Sequence, residues 1–471
     1  MNLLANPKLW NAVLKTPPVN WMLKTALKTC PECNRIPLET ALDNYARKNS
    51  QNCSSCNLYV NVINFWIQFI QKTLAVEKNR VSKIFADPYT KRAIRSIVSG
   101  FADFGFNRPL QIHAPLLVVW NFTYKCNLSC KHCYSDSGNI SKMELSTKEA
   151  MDVLDQITDF GVTSLAFSGG EPLMRKDFFE VARHAVNSGL YVSLATNGTL
   201  LTKEKVKKLK EIGINYVEVS LDGSNPQTHD IFRGQTGAFN QALQGLMNCV
   251  DEDLCTCMAV TATKNNLTEI PAVLELAENM GIKRFTLFNF VPIGRGQDII
   301  ECDPLPEERE EVLNFLRKKL SDNPKIAILT TAPQLARVAL QSECWSPQGD
   351  MMVPFAHMEA AKISKRAKAL ADFIGGCGAG RFYCAISPEG NVQPCVFLPI
   401  IVGNLKTEKF KDIWLDSPVF NALRDRTALK GRCGNCDFKF VCGGCRARAF
   451  SYFGDYLMSD PGCIRKLSEG D

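Results

Sequence analysis

The apolar run Leu116-Leu117-Val118-Val119-Trp120 is followed, after five residues, by Cys126-Asn127-Leu128-Ser129-Cys130-Lys131-His132-Cys133, and this stretch decides how the chain is read. The apolar run is continuous rather than alternating, which marks a strand buried on both faces. The cysteines after it are spaced C-x3-C-x2-C. Three thiolates this close leave a tetrahedral zinc site one ligand short. They suit a [4Fe-4S] cube, holding three irons and leaving the fourth open, whereas a cluster that only transfers electrons normally takes four thiolates. A zinc loop borrowing a distant ligand, or unrelated core cysteines, would give the same spacing. The residues downstream of Cys133 favour the cube.

From about 111 to 330, strand-like runs at 116–120, 164–168, 191–195, 216–221, 257–263 and 285–291 alternate with amphipathic segments near 147–160, 175–188, 203–212, 237–249 and 268–280. Six such units make an α/β fold of parallel strands covered by helices, as a doubly wound sheet or as a partial barrel. In either form the chemistry gathers at the C-terminal ends of the strands. The cysteine triplet comes directly after the first strand, where such chemistry belongs.

The other strand ends also carry motifs. Ser168-Gly169-Gly170-Glu171-Pro172 ends the second strand, and Thr196-Asn197-Gly198 the third. Ser220 and Asp222 close the fourth, and Phe290-Val291-Pro292-Ile293-Gly294 comes after the sixth. Gly-Gly, Pro, Ser and Asp are ordinary turn residues as well. Together with the triplet, however, they resemble the radical S-adenosylmethionine (radical SAM) superfamily, whose signature is C-x3-C-x-aromatic-C, with His132 in the aromatic place. That resemblance implies a partial (β/α)6 TIM-like barrel in which Cys126, Cys130 and Cys133 hold the catalytic [4Fe-4S] cluster. SAM would bind the open iron, and one electron from a reductant such as ferredoxin or flavodoxin would cleave it to methionine and a 5′-deoxyadenosyl radical. The resemblance assigns Gly169, Gly170, Glu171 and Pro172 to the SAM amino group, and Ser220 and Asp222 to its ribose hydroxyls. The segment 290–294 falls on the adenine side, with Arg233 on the carboxylate, although a solvated surface arginine would read the same. His132 and Asn197 complete the set.

A second cysteine-rich region begins at Cys377-x6-Cys384-x10-Cys395, with Gly390 five residues before Cys395, and continues as Cys433-x2-Cys436-x5-Cys442-x2-Cys445 and Cys463. It resembles the SPASM extension of radical SAM enzymes, which holds two auxiliary [4Fe-4S] clusters. The last internal spacing is one residue shorter than the family's. Carried over position by position, Cys377, Cys384, Cys395 and Cys445 would hold the first auxiliary cluster. Cys433, Cys436, Cys442 and Cys463 would hold the second. One or two zinc ribbons are the alternative.

Cys30-x2-Cys33 and Cys53-x2-Cys56 form two knuckles that close a four-cysteine site for zinc or a mononuclear, rubredoxin-like iron, a folding staple. Beyond it, Leu58, Val62, Trp66 and Phe69/Ile70 share one helical face, and Ile94, Ile97, Val98 and Phe101 lie opposite Lys91, Arg92 and Arg95. Basic amphipathic helices with aromatics suit an anionic membrane surface; packing on their own domain is the plainer alternative. These signals divide the chain into four parts: 1–110, a basic, mainly helical four-cysteine segment; 111–330, the radical SAM core; 331–376, an irregular linker with a basic helix-like run at 358–373; and 377–471, the SPASM-type domain. Of the remaining cysteines, Cys344 beside Trp345 is the most conspicuous.

The 471 residues include 20 cysteines, with 22% charged and 45% hydrophobic residues, an ordinary globular balance. The clustered cysteines suit metal ligation in a reducing cytoplasm, in an anaerobe, better than disulfides. The opening residues lack the pattern of a signal peptide, and no long apolar span occurs. The net charge is +7, yet residues 1–110 alone hold fifteen Lys/Arg against six Asp/Glu. An anionic partner should therefore meet that segment, so the expected location is cytoplasmic, peripheral on the membrane. No specific nucleic-acid partner is expected. The basic N-terminus tilts the expected substrate toward an apolar, membrane-lipid chain activated by hydrogen abstraction. Peptide side-chain maturation is one alternative. Tetrapyrrole side-chain modification is another, prompted by a resemblance of Tyr383–Gly390 and Pro394-Cys395 to enzymes of alternative haem synthesis. A non-catalytic iron–sulfur electron carrier is the alternative from a different class.

Overall fold

The computed structural model describes residues 12, 14, 16–46, 53–74, 77–138, 143–322, 325–341, 350–355, 358–364 and 371–465. Strands β1 (Leu117–Thr123), β2 (Ser164–Gly169), β3 (Tyr191–Thr196), β4 (Tyr216–Ser220), β5 (Thr256–Ala262) and β6 (Arg284–Asn289) lie side by side in chain order, all parallel. A doubly wound sheet would reverse its order partway; this one does not, so the two readings left open by the alternation resolve to the partial barrel. Helices Thr147–Phe160, Phe178–Asn187, Lys203–Ile212, Ala238–Asp251 and Ile270–Asn279 connect the strands.

The strands have two different faces. Val118, Trp120, Phe122, Leu165, Phe167, Val217 and Val219 are completely buried in the core that the helices cover. Their neighbours Val119, Ser168, Ala195, Glu218, Ser220 and Thr261 line the lumen instead. Period-two alternation therefore puts large apolar groups under the helices and small or polar ones inside the barrel. Phe167 packs edge-on against Phe122 and Phe178, with ring centroids at 5.0 and 5.5 Å.

The parallel run is longer than six strands. β7 (Ala327–Thr330) adds to β6. At the other edge a strand from the C-terminal region joins β1. Between the two edges, the supposed linker 331–376 holds the buried helix Gln334–Gln341 and an antiparallel hairpin, β8 (Asp350–Phe355) with β9 (Met358–Ser364). The helix-like run at 358–373 is thus a strand over its first half, because cross-strand pairing outweighs weak local propensity. Cys344 lies outside the described residues. β10 (Tyr383–Ile386) pairs in parallel with β1, Val118 opposite Cys384, and β11 (Asn391–Gln393) and β12 (Gly403–Asn404) continue the sheet antiparallel.

The N-terminal segment is helical: Pro17–Ala26, Pro37–Tyr45, Ser54–Leu74, Lys78–Ala86 and Pro88–Phe104. The two amphipathic stretches part company here. Helix Pro88–Phe104 spends its apolar face on the core through Ile97 and Phe101, and Ser96 Oγ donates to Ala114 O at 2.7 Å. Helix Ser54–Leu74 buries Cys56 and Val60 but leaves Leu58, Phe65, Trp66, Phe69 and Ile70 exposed. Among the described residues no helix is long and apolar enough to cross a membrane.

The contrast between these faces is measurable. Phe167→Ala should lower unfolding free energy by about 3–5 kcal/mol, as for a buried aromatic. Phe69→Ser, on the exposed stripe, should stay within about 0.5 kcal/mol of wild type. Anaerobic thermal and urea unfolding of the two variants checks both.

Candidate active site

The cysteine loop sits against the ends of β1 and β2. Glu171 N donates to Lys125 O at 2.7 Å, and Gly170 N to Thr123 O at 2.7 Å. A Cβ on Gly170 would stand 2.2 Å from Lys125 O, so only glycine lets the strand end approach the loop this closely. Gly234, at φ +71°, serves the same purpose beside Ser129 O. Arg295 clasps the loop from β6's side, its Nε donating to Cys130 O at 3.0 Å and Nη1 to Ser137 O at 2.6 Å.

A cavity of about 290 Å³ opens beneath this loop. Cys126, Cys130, Cys133, His132, Gly169, Gly170, Asn197, Ser220 and Arg233 all line it, as anticipated. Glu171, Pro172 and Asp222 do not. The Glu171 carboxylate, fully buried, accepts from Thr196 Oγ1, Asn197 N and Leu173 N at 2.9, 2.9 and 3.2 Å. It ties strand ends together. Asp222, also fully buried, meets Arg233 Nη2 at 2.5 Å and accepts from Thr261 N at 2.8 Å. Oδ1 takes the Thr261 N–H, and Oδ2 faces the Arg233 guanidinium.

Arg233 is buried rather than solvated. Burial opposes its charge, but Asp222 and the Cys130 thiol, 3.7 Å from Nη1, outweigh that and raise its pKa. His132 stacks on Phe232, ring centroids 4.1 Å apart and planes nearly parallel. Burial drives its pKa down to about 3, and His229, whose Nδ1 accepts from Asp222 N, falls to about 4, so both rings are neutral. Three wall residues had no motif to announce them: Arg295, Glu218 and Phe397. Glu218 alone was within reach of sequence reasoning, two places before Ser220 and so on the same strand face. Among the described residues it is the one carboxyl on the cavity wall. Burial pushes it up to about 7, and Tyr216 Oη donates to it at 3.1 Å.

The thiol groups differ in spacing. At the N-terminus, Cys30–Cys53 and Cys33–Cys56 sulfurs are 3.6 Å apart, and all four lie within 4.8 Å of one another. Metal–sulfur bonds of about 2.3 Å put tetrahedral ligands about 3.8 Å apart, so the set fits one ion. Among the described residues no other three Cys, His, Asp or Glu donors gather this tightly. The triplet and the C-terminal cysteines stand wider, as ligands on separate irons of a cube must.

The C-terminal surroundings also fit an anionic cluster. Arg426 is fully buried near the thiols of Cys377, Cys442 and Cys433, and its Nε and Nη1 have no protein partner. Arg381 likewise keeps a partnerless Nε in this region. Buried guanidinium groups with orphaned donors need an anion, which thiolate-bound iron–sulfur clusters supply. Cys433, Cys442 and Cys463 are mutual neighbours. Cys377, Cys395 and Cys445 share a second group. Cys384 departs from the expected partition: it packs in the main core with Trp414 and Phe420.

Glu218 carries a pH signature. Its folded pKa lies above the unfolded value, so its contribution to stability is full below about pH 4.5 and lost as pH rises through about 7. Relative to Glu218→Gln, wild type should therefore lose thermal stability between pH 5 and 8. Anaerobic melting curves of both proteins across this range provide the check.

Comparison with known proteins agrees with this geometry. The radical SAM superfamily profile matches residues 120–277, and that of the SPASM iron-sulfur cluster-binding domain matches 377–437. The chain is 39% identical over 353 residues to an AdoMet-dependent heme synthase of Methanosarcina barkeri, covering 75% of this chain and 97% of the relative. It is 30% identical over 365 residues to mycofactocin maturase MftC of Mycobacterium tuberculosis, covering 76% and 85%. Streptococcus suis SuiB, solved with its precursor peptide SuiA, superposes with a TM-score of 0.60 at 17% identity over 86% of this chain and 89% of that one, a likeness of fold. On its loop, barrel and relatives, the chain belongs to the radical SAM superfamily and carries a SPASM domain.

Proposed function

We propose that this radical SAM enzyme modifies the carboxylate side chains of a haem-type tetrapyrrole. The observation that carries the reading is the 39% identity to a heme synthase across 97% of that relative's length. The peptide maturase match is lower in identity and coverage, at 30% and 85%. The lipid expectation rested on residues 1–110 and not on the cavity, and it yields to the tetrapyrrole reading. The cavity wall suits a flat apolar ring with acidic substituents: Leu117, Val119, Phe288 and Phe397 offer apolar surface, and Arg233 and Arg295 offer cations.

In this reading Cys126, Cys130 and Cys133 hold the catalytic cluster. When bound, the cluster and SAM supply a one-electron cleavage that yields a hydrogen-abstracting radical. The protein's part is placement and exclusion. The backbone of Gly169 and Gly170 and the side chains of Asn197 and Ser220 orient SAM. Glu171 keeps the ends of β2 and β3 in register, and Asp222 holds Arg233 charged beside Cys130. The apolar wall keeps water from the radical. Glu218, its pKa raised to about 7, can take up or release a proton near neutrality.

Anaerobic, reconstituted protein given dithionite, SAM and an iron porphyrin tetracarboxylate should release 5′-deoxyadenosine and change the porphyrin's mass. Cys126, Cys130 and Cys133 changed together to Ala should abolish release and remove about four of about twelve cluster irons. Release without any porphyrin mass change, but with change of a peptide, would move the substrate to the peptide class.

We also infer that residues 1–110 rest on an anionic membrane surface. The exposed Leu58, Phe65, Trp66, Phe69 and Ile70, on a segment with nine excess positive charges, support it. Wild type should sediment with anionic vesicles at low salt and release as salt rises, and Trp66→Glu should weaken binding without loss of folding. An absence of wild-type binding at low salt overturns this inference and leaves the tetrapyrrole reading untouched.

A further inference from the structure

Glu218 sits on β4 two residues before Ser220, and so about 7 Å below the C-terminal end of the strand, deeper in the lumen than the cysteine loop. Part of its surface is open, and it lines the cavity. Its register partners are Ala195 on β3 and Cys257 on β5. The groups that face the carboxyl are neutral. Tyr216, on the same strand, donates from Oη to Oε2 at 3.1 Å, and Thr286 on β6 adds a second hydroxyl. Cys257 Sγ lies 3.2 Å from Thr286 Oγ1, and burial raises its pKa, so it remains a thiol. From β3, Ala195 and Ser193 complete this part of the wall. Arg284, the cation at this level of β6, places its guanidinium over the Tyr216 ring, 4.9 Å from the centroid. No charge offsets the burial of Glu218.

The cations of the cavity wall stand elsewhere. Arg295 is bound to the cysteine loop, and Arg233 is paired with Asp222 beside Cys130. A ligand carboxylate that reaches the β4 wall therefore meets Glu218. Two carboxyl groups that meet in a dry site do not both ionise; they share one proton. Such an O–H···O⁻ bond is among the stronger hydrogen bonds, because its acceptor is charged. With its pKa at about 7, Glu218 has that proton to offer near neutrality, whereas an ordinary glutamate would be ionised and would repel.

We propose that Glu218 is the residue that recognises a carboxylate of the substrate, its protonated carboxyl donating a hydrogen bond to one carboxylate oxygen. This deepens the reading of a carboxylate-bearing substrate and rests on it. No bond of the substrate is made or broken in this step. Where Glu218 is ionised before binding, the proton comes from solvent, so binding takes up as much as one proton. Substrate affinity is thereby tied to pH through a single side chain on the cavity wall.

The test uses the reconstituted full chain with SAM and no reductant, so that ligands bind without turnover. Anaerobic calorimetry is run from pH 6 to pH 8, in buffers of different ionisation enthalpy, with an iron porphyrin tetracarboxylate, its tetramethyl ester, and a peptide with a free C-terminus. The ligand carboxyls, with pKa values of about 3–5, are ionised throughout. For wild type and the porphyrin acid, Kd should rise roughly tenfold across this range, while proton uptake climbs from near zero to about one. The ester should show neither change. Glu218→Gln, which donates at every pH and still accepts from Tyr216, should bind the acid with a flat Kd and no proton uptake. Tyr216→Phe removes a bond that lowers the Glu218 pKa, so the wild-type transition should move to higher pH. A flat profile with both acids, a pH dependence that survives in Glu218→Gln, or the same dependence with the ester overturns the proposal. Linkage with the peptide alone keeps Glu218 as the carboxylate site and removes the tetrapyrrole. Porphyrin turnover without linkage removes this role of Glu218 and keeps the tetrapyrrole.

Discussion

Glu171 is the fastening on which the active region depends. Its backbone N–H reaches Lys125 O in the cysteine loop, and its carboxylate gathers Thr196 and Asn197 from the end of β3. Asn197 then donates through Nδ2 to Asn127, back in the loop, at 2.9 Å. Burial pushes the carboxyl's pKa up, opposed by the donors around it. Three separate pieces of chain are thus held by one residue in a dry environment, where each hydrogen bond is worth more than in water. Without such a clamp, the three cysteines would ride on a loop, and loops are the mobile parts of a fold. The motif residue that spacing nominates as a ligand contact is, in the molecule, what makes the contact surface rigid.

The barrel was legible because its information is local. Each strand is a short apolar run and the main helices are amphipathic stretches, so alternation alone located β1 to β6 and five helices between them, though not the short helix Pro226–Arg233. Where information was non-local, the reading stopped. Nothing in Tyr383–Ile386 says that it pairs with Leu117–Trp120, more than two hundred and sixty residues earlier. The segment 358–364 carries a weak, basic, helix-like pattern, and only β8 makes it a strand. Cys384 shows a third kind of limit. Motif spacing counts residues along the chain, whereas a strand sends neighbours to opposite faces. Tyr383 faces Cys395, its hydroxyl donating to the thiol at 2.7 Å, while Cys384 faces the helix-covered core.

The two amphipathic N-terminal helices make a related point. Their patterns are alike in sequence, yet Ile97 and Phe101 lie against the barrel's helix layer and Trp66 and Phe69 do not. Amphipathicity states that a face needs cover; it does not name the cover. Positive charge gathers in the same segment, while the catalytic cavity takes its cations from Arg233 and Arg295. Excess charge and candidate chemistry therefore lie in separate parts of the chain. That separation is why the basic N-terminus says little about what the cavity binds.

The pairing of β10 with β1 has a consequence for biosynthesis. At about 5–20 residues per second, β10 leaves the ribosome roughly 15 to 50 s after β1. For that interval Leu117-Val118-Val119-Trp120 is an open apolar edge, the kind of strand that templates pairing with other chains. The C-terminal region is thus more than a carrier of clusters. It is the cap that ends the nascent barrel's exposure, and a chain interrupted before residue 383 would carry that edge permanently.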